Sequence, residues 1–167
     1  MTDVLLTIAE VVSDAPRDHR PAVREAAQAS YHALFDVPAD DPAPGVDRSL
    51  RHLIAARAAH LEGDGPAVEF YLESVDEGDA ERLVEQGPDG LAGVRAPRRT
   101  RAALRYVDLL TTRPAASTAD DLNGLLAAGW APAEIVVIGQ IVGLVSYQVR
   151  VAQGLRVLDD LFGGDHR

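Results

Sequence analysis

The sequence of 167 residues contains no cysteine and no lysine, and only 5% of its residues are aromatic. Without cysteine the chain can form no disulfide, bind no metal through thiolates and run no thiol chemistry, because the thiolate is the nucleophile in such reactions. The absence of disulfides fits a cytoplasmic protein, which is the location we expect. Since lysine is missing, every basic residue apart from histidine is arginine, as is common in GC-rich coding sequences.

The sequence lacks other features as well, and their absence argues against further classes of protein. No apolar run reaches roughly 20 residues without a polar interruption, so we expect no membrane-spanning helix. The N-terminus lacks the positive charges that open a signal peptide. The net charge of −10 argues against a nucleic-acid partner, because such binding depends on neutralising phosphates. We therefore expect neither a membrane nor a nucleic acid among the partners.

The hydrophobic residues, 47% of the chain, indicate a core of Ala, Leu and Val. A chain of this length buries roughly 70% of its unfolded surface as one domain. No alternation of apolar and polar residues typical of strands is present, so we predict an all-α domain over residues 1–167, with 1–19 as a short N-terminal helical extension. The predicted helices cover residues 3–13, 21–35, 47–61, 66–75, 79–86, 98–113, 118–128 and 132–161, and residues 36–46 form a loop.

The predicted C-terminal helix is the longest and is apolar all round, which indicates burial on several sides. In so small a domain this favours a second subunit, and Gly139 and Gly143 offer a smooth strip for its approach. Gln140, Tyr147 and Arg150 share one face of this helix and predict a ligand pocket in which Arg150 meets a small anionic molecule. The alternative is an inter-helix or inter-subunit pair between Arg150 and an acidic residue.

Two segments carry a family resemblance. Residues 51–63 (RHLIAARAAHLEG) and the tail from Pro97 to Leu158 resemble the alkylhydroperoxidase D-like / carboxymuconolactone decarboxylase (CMD) superfamily, and within it a subgroup called CMD domain proteins. The resemblance covers roughly residues 20–160. It implies an all-α, alkylhydroperoxidase D-like helical fold and a homo-oligomer, either a dimer, a trimer or a hexamer.

The catalytic pattern of this superfamily is not preserved here. Its peroxidase members use a Glu, a Cys-x-x-Cys pair and a His, and by spacing these positions are occupied by His52, Asp64, Ala67 and Tyr71. All four residues differ, so we do not expect thiol peroxidase activity.

His52, Asp64 and Tyr71 are nevertheless candidate catalytic residues, because a histidine near a carboxylate and a phenol is a workable acid–base set. CMD-type relatives do acid–base chemistry on small carboxylates. The alternatives are that His52 lies off the apolar face of its helix and is solvated, and that Asp64 only caps the next helix.

Other polar residues have simpler interpretations. The spacing of His60, Glu62, Asp64 and Glu69 matches no metal-ligand signature, so we expect no metal and no cofactor. Arg57 is expected to be half-buried and ion-paired, and Tyr31 to pack in the core. The arginines from Arg95 to Arg105 are expected to pair with the acidic stretch Asp76–Glu85, or else to meet an anionic ligand or partner.

Three functional hypotheses remain open. The first is a non-thiol protein that binds a small molecule or a partner. The second is a cofactor-free acid–base enzyme, decarboxylase- or isomerase-like, that acts on a small carboxylate. The third is an accessory subunit of a cysteine-containing homologue. The residue pattern does not decide whether the protein is catalytic.

Overall fold

A computed structural model describes residues 3–11, 20–76, 78–89 and 96–162, and these residues form helices, turns and loops without a strand. The all-α prediction is therefore confirmed. A single 3-10 turn lies at Pro114–Ala116. The α-helices are α1 (Val4–Ala9), α2 (Pro21–Phe35), α3 (Arg48–Glu62), α4 (Gly65–Leu72), α5 (Ala80–Gln86), α6 (Arg98–Thr112), α7 (Ala119–Ala127) and α8 (Pro132–Phe162).

Capping residues set several of these boundaries. The Asp47 carboxylate accepts a hydrogen bond from the Leu50 N–H and starts α3. Gly63 adopts a positive φ of 78° and ends the same helix, a conformation that glycine reaches without strain. Helix α1 ends earlier than predicted, because Glu10 turns into the left-handed region. Residues 12–13, which the prediction included, lie outside the described residues.

Helix α3 is the centre of the fold. Residues 51–59 are all buried, and α4, α5, α6 and α8 pack around them. Four alanines in this stretch allow close approach on several sides, since they present little more than a methyl group. The Leu, Ile and Ala residues of this stretch and its polar side chains are buried alike, so the helix has no single apolar face.

Helix α8 is buried on one side only. Its inward stripe follows steps of three and four residues and consists of Ile138, Ile141, Val145, Gln148, Ala152 and Leu155. Its other side is exposed and includes Val136, Val157 and Leu161. Within the single chain α8 is therefore not buried on several sides, and its burial by a second subunit stays a prediction. Within the described residues, α8 is also the one helix long and apolar enough to cross a membrane, although its inward side packs on α3, α1 and α6.

Helix α1 belongs to the core of the described structure. Val4, Leu5, Ile8 and Ala9 are buried, and the helix packs on α8 and α4. The Val4 N–H donates to the Gln28 side chain, which ties α1 to α2. The segment expected as an N-terminal extension thus covers part of the helix bundle.

A polar staple joins the 36–46 loop to α6 and α8. The buried Glu134 carboxylate accepts hydrogen bonds from the Gly45 N–H (2.9 Å) and the Ala131 N–H (2.8 Å), and it pairs with the Arg99 guanidinium. Arg99 in turn lies 3.9 Å above the centre of the Trp130 ring. A Cβ at Gly45 would come within 2.0 Å of Glu134 Oε1, so a side chain at this position must displace the Glu134 carboxylate and the Arg99 guanidinium.

We predict that Gly45→Ala lowers the free energy of unfolding by about 2 kcal/mol, because the methyl group displaces a buried carboxylate from its hydrogen-bond donors. Chemical denaturation of the purified variant measures the change. Gly124→Ala is the matched control, since Gly124 lies inside α7 with open space at its Cβ. Alanine is the better helix former, so the control should be neutral or stabilising. Equal stabilities for the two variants would contradict the role of the staple.

Candidate functional site

Three polar side chains from different helices meet in the core. His52 of α3 and Tyr71 of α4 have ring centres 6.2 Å apart, and the Tyr71 hydroxyl donates a hydrogen bond to Gln148 Oε1 of α8. The Phe35 ring of α2 packs against both rings, at 4.8 Å from His52 and 5.3 Å from Tyr71. His52, Tyr71 and Gln148 are each at most 1% exposed, and we call them the buried polar cluster.

The hydrogen bonds of His52 determine which of its nitrogens is free. Nδ1 lies 2.8 Å from the Arg48 carbonyl oxygen, and a carbonyl oxygen only accepts, so Nδ1 carries the proton. Burial lowers the pKa of His52 and keeps the ring neutral near pH 7. Nε2 therefore carries a lone pair, and it has no hydrogen-bond partner within the described part of the chain. The expectation of a solvated His52 is wrong.

Tyr71 and Gln148 form the second half of the cluster. Burial raises the pKa of Tyr71 well above its usual value, so the phenol stays protonated and donates. Gln148 uses its oxygen for this bond, and its Nε2 is buried without a partner among the described residues. Every member of the cluster is thus uncharged at neutral pH.

The unpaired nitrogens of His52 and Gln148 reduce the stability of the fold. A buried polar atom that lacks a hydrogen bond destabilises a fold by about 1–3 kcal/mol, and such atoms are rare in proteins. His52 Nε2 offers an acceptor and Gln148 Nε2 offers a donor. Each atom is able to form a hydrogen bond with a polar group of a ligand.

Asp64, the third predicted catalytic residue, has a structural role. Its Oδ1 accepts from the Ala67 N–H at 3.0 Å, which confirms the predicted cap of α4. Its carboxylate also forms an ion pair with Arg156 (2.6 Å) and accepts from Gln153 (3.2 Å). Tyr71 lies seven residues further along the chain, which corresponds to about 10 Å of helix rise. Asp64 is therefore held by groups other than those of the cluster.

Arg156 connects three helices through Asp64. Besides this ion pair, the Arg156 guanidinium donates to the carbonyl oxygens of Ile8 and Ala9 at the end of α1. Burial by itself raises the pKa of Asp64, but the hydrogen bonds from Arg156, Ala67 and Gln153 outweigh it and hold the pKa below its ordinary value. Asp64 is consequently a charged anchor that joins α1, α4 and α8.

Gln140, Tyr147 and Arg150, the predicted ligand-binding residues, share the exposed side of α8. They extend over ten residues, or about 15 Å of helix. Arg150 Nη1 donates to the Ser146 carbonyl oxygen, and Nη2 lies 3.7 Å from Glu62 Oε1 on α3. The contact with Glu62 matches the alternative interpretation of Arg150 as an inter-helix pair. In the single chain the three residues lie along an open face, not in an enclosed pocket.

The remaining sequence predictions have mixed outcomes. Arg57 pairs with an acidic residue as predicted, Asp108 at 2.7 Å, but it is buried and not half-buried. Tyr31 stacks on Phe35 and packs against the core, also as predicted. Within the described residues no group of three or more His, Asp or Glu side chains is arranged to hold a metal ion.

The predicted pairing of the arginine cluster with the acidic stretch Asp76–Glu85 is wrong for two of its members. Arg99 pairs with Glu134, and Arg105 pairs with Asp89. Both arginines lie on α6, which brings them to α8 and to the turn after α5 respectively. Arg95 lies outside the described residues.

Sequence reasoning missed Gln148, although a signal was present. Gln148 is the one polar residue in the inward stripe that runs from Ile138 to Leu155, at the steps of three and four residues that define a buried helix face. The chosen trio of Gln140, Tyr147 and Arg150 belongs to the opposite stripe. Assigning each residue of α8 to a helix face would have placed Gln148 on the apolar face and the trio on the opposite one.

Comparison with known proteins does not assign the chain to a family: no family model matches it, and no significant match is found among curated proteins or solved structures.

We predict that Asp64→Asn lowers the free energy of unfolding at pH 7 by about 2 kcal/mol, because it leaves the partly buried Arg156 without its counter-charge. The folded-state pKa of Asp64 is lowered, so its stabilisation is complete above the unfolded-state value of about 4 and is lost as the pH falls through the folded value. Denaturation between pH 3 and pH 7 should therefore show a flatter acid dependence in the variant.

Asp89→Asn is the matched control for this experiment. Asp89 also pairs with an arginine and also has a lowered pKa, but both partners are largely exposed, and such pairs contribute little. A control as destabilised as Asp64→Asn would contradict the anchoring role of Asp64.

Proposed function

We propose that this protein binds a small molecule at the buried polar cluster of His52, Tyr71 and Gln148, without thiol chemistry. The observation that carries the proposal is the pair of buried nitrogens, His52 Nε2 and Gln148 Nε2, that lack hydrogen-bond partners in the described structure. The polar groups of a bound ligand supply the missing bonds. They also offset the free energy that the two atoms cost when they are left unpaired.

A purely structural role explains this cluster poorly. Apolar side chains of similar volume would fill the same space and leave no polar atom unpaired, and such replacements are often neutral or stabilising. The surrounding rings of Phe35, Phe70 and Tyr31 already form an apolar wall. Three polar side chains from three helices are better explained by a ligand that uses them.

The resemblance to the CMD superfamily supports the same location. By spacing, His52 and Tyr71 fall where the peroxidase pattern has its Glu and its His, and these two residues lie on α3 and α4. We propose that the protein is a cysteine-free member of this superfamily, with an alkylhydroperoxidase D-like fold, in which a binding site has replaced the thiol site.

A second candidate function is cofactor-free acid–base catalysis at the same cluster. The specific observation is that neutral His52 presents a lone pair on Nε2, while Tyr71 remains a protonated acid. Such an enzyme would move a proton to or from carbon. In heavy water it would release its ligand labelled with deuterium, whereas a binding protein would release it unlabelled.

We further propose that the chain self-associates through the exposed stripe of α8. This stripe repeats at alternating steps of four and three residues, the spacing at which paired helices meet. It extends over about 37 Å of helix and contains two glycines and few charges. A cysteine-containing homologue, the other partner considered, would use the same surface. The stripe consists of Val136, Gln140, Gly143, Tyr147, Arg150, Gly154, Val157 and Leu161.

We predict that native mass spectrometry of gently purified protein detects a stoichiometric small-molecule adduct. The double variant Tyr71→Phe/Gln148→Leu should lose the adduct, because it removes one of the two ligand-bonding groups. Without ligand, the free energy of unfolding of the double variant should equal or exceed that of the wild type. Both substitutions remove the polar groups at positions 71 and 148, so neither position keeps an unpaired polar atom.

The single variant Tyr71→Phe is the control for the stability measurement. It leaves both polar ends of Gln148 buried and unpaired, so we expect it to be less stable than the double variant by about 1–2 kcal/mol. The binding function would be rejected if the wild-type protein carried no adduct and the double variant were much less stable than the wild type. The cluster would then have a structural role.

We predict that Val157→Glu converts the oligomer to a monomer, because it places a charge in the apolar C-terminal part of the proposed helix contact. Native mass spectrometry reports the subunit number. Leu126→Glu is the matched control: Leu126 is 46% exposed on α7 and Val157 is 56% exposed on α8, and both changes add one negative charge. A wild-type protein that is already monomeric would contradict the proposed assembly.

A further inference from the structure

The exposed stripe of α8 is complementary to a second copy of itself that runs in the opposite direction. Its residues follow one another in alternating steps of four and three, and all of them are exposed. Two such stripes that run antiparallel meet position by position, because each step of four faces a step of four and each step of three faces a step of three. The pairs are Val136 with the partner's Leu161, Gln140 with the partner's Val157, Gly143 with the partner's Gly154, and Tyr147 with the partner's Arg150.

The glycines and the apolar ends of the stripe fit this arrangement. A Cβ at Gly143 or Gly154 would have open space around it, so both glycines lie on the bare surface of the helix. In the antiparallel pair each glycine faces the other, and two backbones without side chains between them approach closely. Val136 is 58% exposed and Leu161 is 69% exposed in the single chain, and their mutual contact removes apolar surface of both from water.

The middle of the stripe pairs an arginine with an aromatic ring. Arg150 is 69% exposed, and its Nη2 lies 3.7 Å from Glu62 Oε1. The donors of a guanidinium group lie in its plane, so its flat face is able to stack on the partner's Tyr147 while its edge keeps the contact with Glu62. The same kind of contact occurs inside the chain, where Arg99 lies 3.9 Å above the centre of the Trp130 ring. The antiparallel pair contains this contact twice.

Charge favours the antiparallel over the parallel arrangement. In a parallel pair Arg150 would face the partner's Arg150, and the exposed Asp159 and Asp160 would lie beside their own copies. Like charges that face each other destabilise a contact, and each chain already carries a net charge of −10. In the antiparallel pair the two acidic segments lie about 30 Å apart along the helix axis. This separation is well beyond the screening length of about 8 Å at physiological ionic strength.

We infer that two copies of this chain pair through α8 in antiparallel orientation, about a two-fold axis midway between Tyr147 and Arg150. The inference rests on the self-association proposed above and specifies its geometry. A two-fold contact uses the same patch on both subunits, so the assembly that it builds has an even number of subunits. Of the assemblies that the family resemblance implies, the dimer and the hexamer are compatible with this contact, and a trimer is not.

Cysteine cross-linking tests the pairing directly, because the natural chain has no cysteine and each introduced thiol is unique. Gly143→Cys and Gly154→Cys are co-expressed with different affinity tags, and each is also expressed alone. After mild oxidation we expect at least tenfold more disulfide-linked dimer between the two variants than within either one. In the antiparallel pair, two copies of the same variant hold their thiols about 16 Å apart along the axis, too far for a disulfide.

A second pair of variants guards against a cysteine that disturbs the close glycine contact. Gln140→Cys and Val157→Cys also face each other in the antiparallel pair, and neither replaces a glycine. Copies of the same variant are about 25 Å apart along the axis. We expect the same preference for the mixed disulfide.

Two opposite charges at position 147 test the contact with Arg150. In the antiparallel pair the carboxylate introduced by Tyr147→Glu meets the partner's Arg150, whereas the guanidinium introduced by Tyr147→Arg is repelled by it. We expect the Kd of self-association, measured by sedimentation equilibrium, to be at least tenfold higher for Tyr147→Arg than for Tyr147→Glu. In a parallel pair each introduced charge would face its own copy, so both variants would be weakened equally.

The outcomes separate this inference from the proposed self-association. Disulfides that form within single variants and not between different ones would overturn the antiparallel order, and equal Kd values for the two charge variants would overturn the contact with Arg150. An odd number of subunits, or an oligomer in which neither cysteine pair cross-links, would overturn the two-fold pairing. In each of these cases the self-association itself would stand, because native mass spectrometry would still report an oligomer. A monomeric wild-type protein would reject both proposals.

Discussion

The complete burial of residues 51–59 of α3 is the constraint on which the rest of the structure depends. A helical segment surrounded on all sides has no contact with water, so each polar side chain that it carries must find its partner inside the protein. Helix α3 carries Arg51, His52 and Arg57 within this buried stretch. The positions of the neighbouring loops and helices follow from how these three side chains are satisfied.

The two arginines organise opposite sides of the core. Arg51 donates to the carbonyl oxygens of Leu34 and Val46 and lies 2.9 Å from the Asp41 carboxylate, which fastens the 36–46 loop over α3. Arg57 forms a bidentate pair with Asp108 of α6 and donates to the Val84 carbonyl oxygen at the end of α5. Guanidinium groups suit this role because their donors point in several fixed directions. The fold is therefore joined by buried arginines where a domain of this size would more often rely on apolar contacts.

Of the two ring nitrogens of His52, only one forms a hydrogen bond. Its Nδ1 is satisfied by its own helix, whereas Nε2 faces the interior unpaired. Arg51 and Arg57 hold helices and loops together through ion pairs and backbone contacts. His52 and Gln148, each with a buried nitrogen that has no hydrogen-bond partner among the described residues, form the candidate site; buried side-chain atoms of Arg51, Arg99 and Thr111 also lack a hydrogen-bond partner there. Asp64 belongs with the residues that hold helices together, because Arg156, Gln153 and the α4 backbone use its carboxylate fully.

The sequence by itself determined the helical class, most helix boundaries and the Asp64 cap, since these depend on local propensity, proline, glycine and capping residues within a few positions of one another. It also identified His52 and Tyr71 as candidates. Only the tertiary structure decided that α3 and not α8 is the central helix, that Gln148 and not Gln140 bonds Tyr71 in the candidate site, and that Asp64 pairs with Arg156. These outcomes depend on which helix faces meet, and the pairs involved lie 77 to 92 residues apart in the chain. Helical periodicity restricts which residues share a face, but packing against distant helices decides which face is covered and which polar atoms are left without a partner.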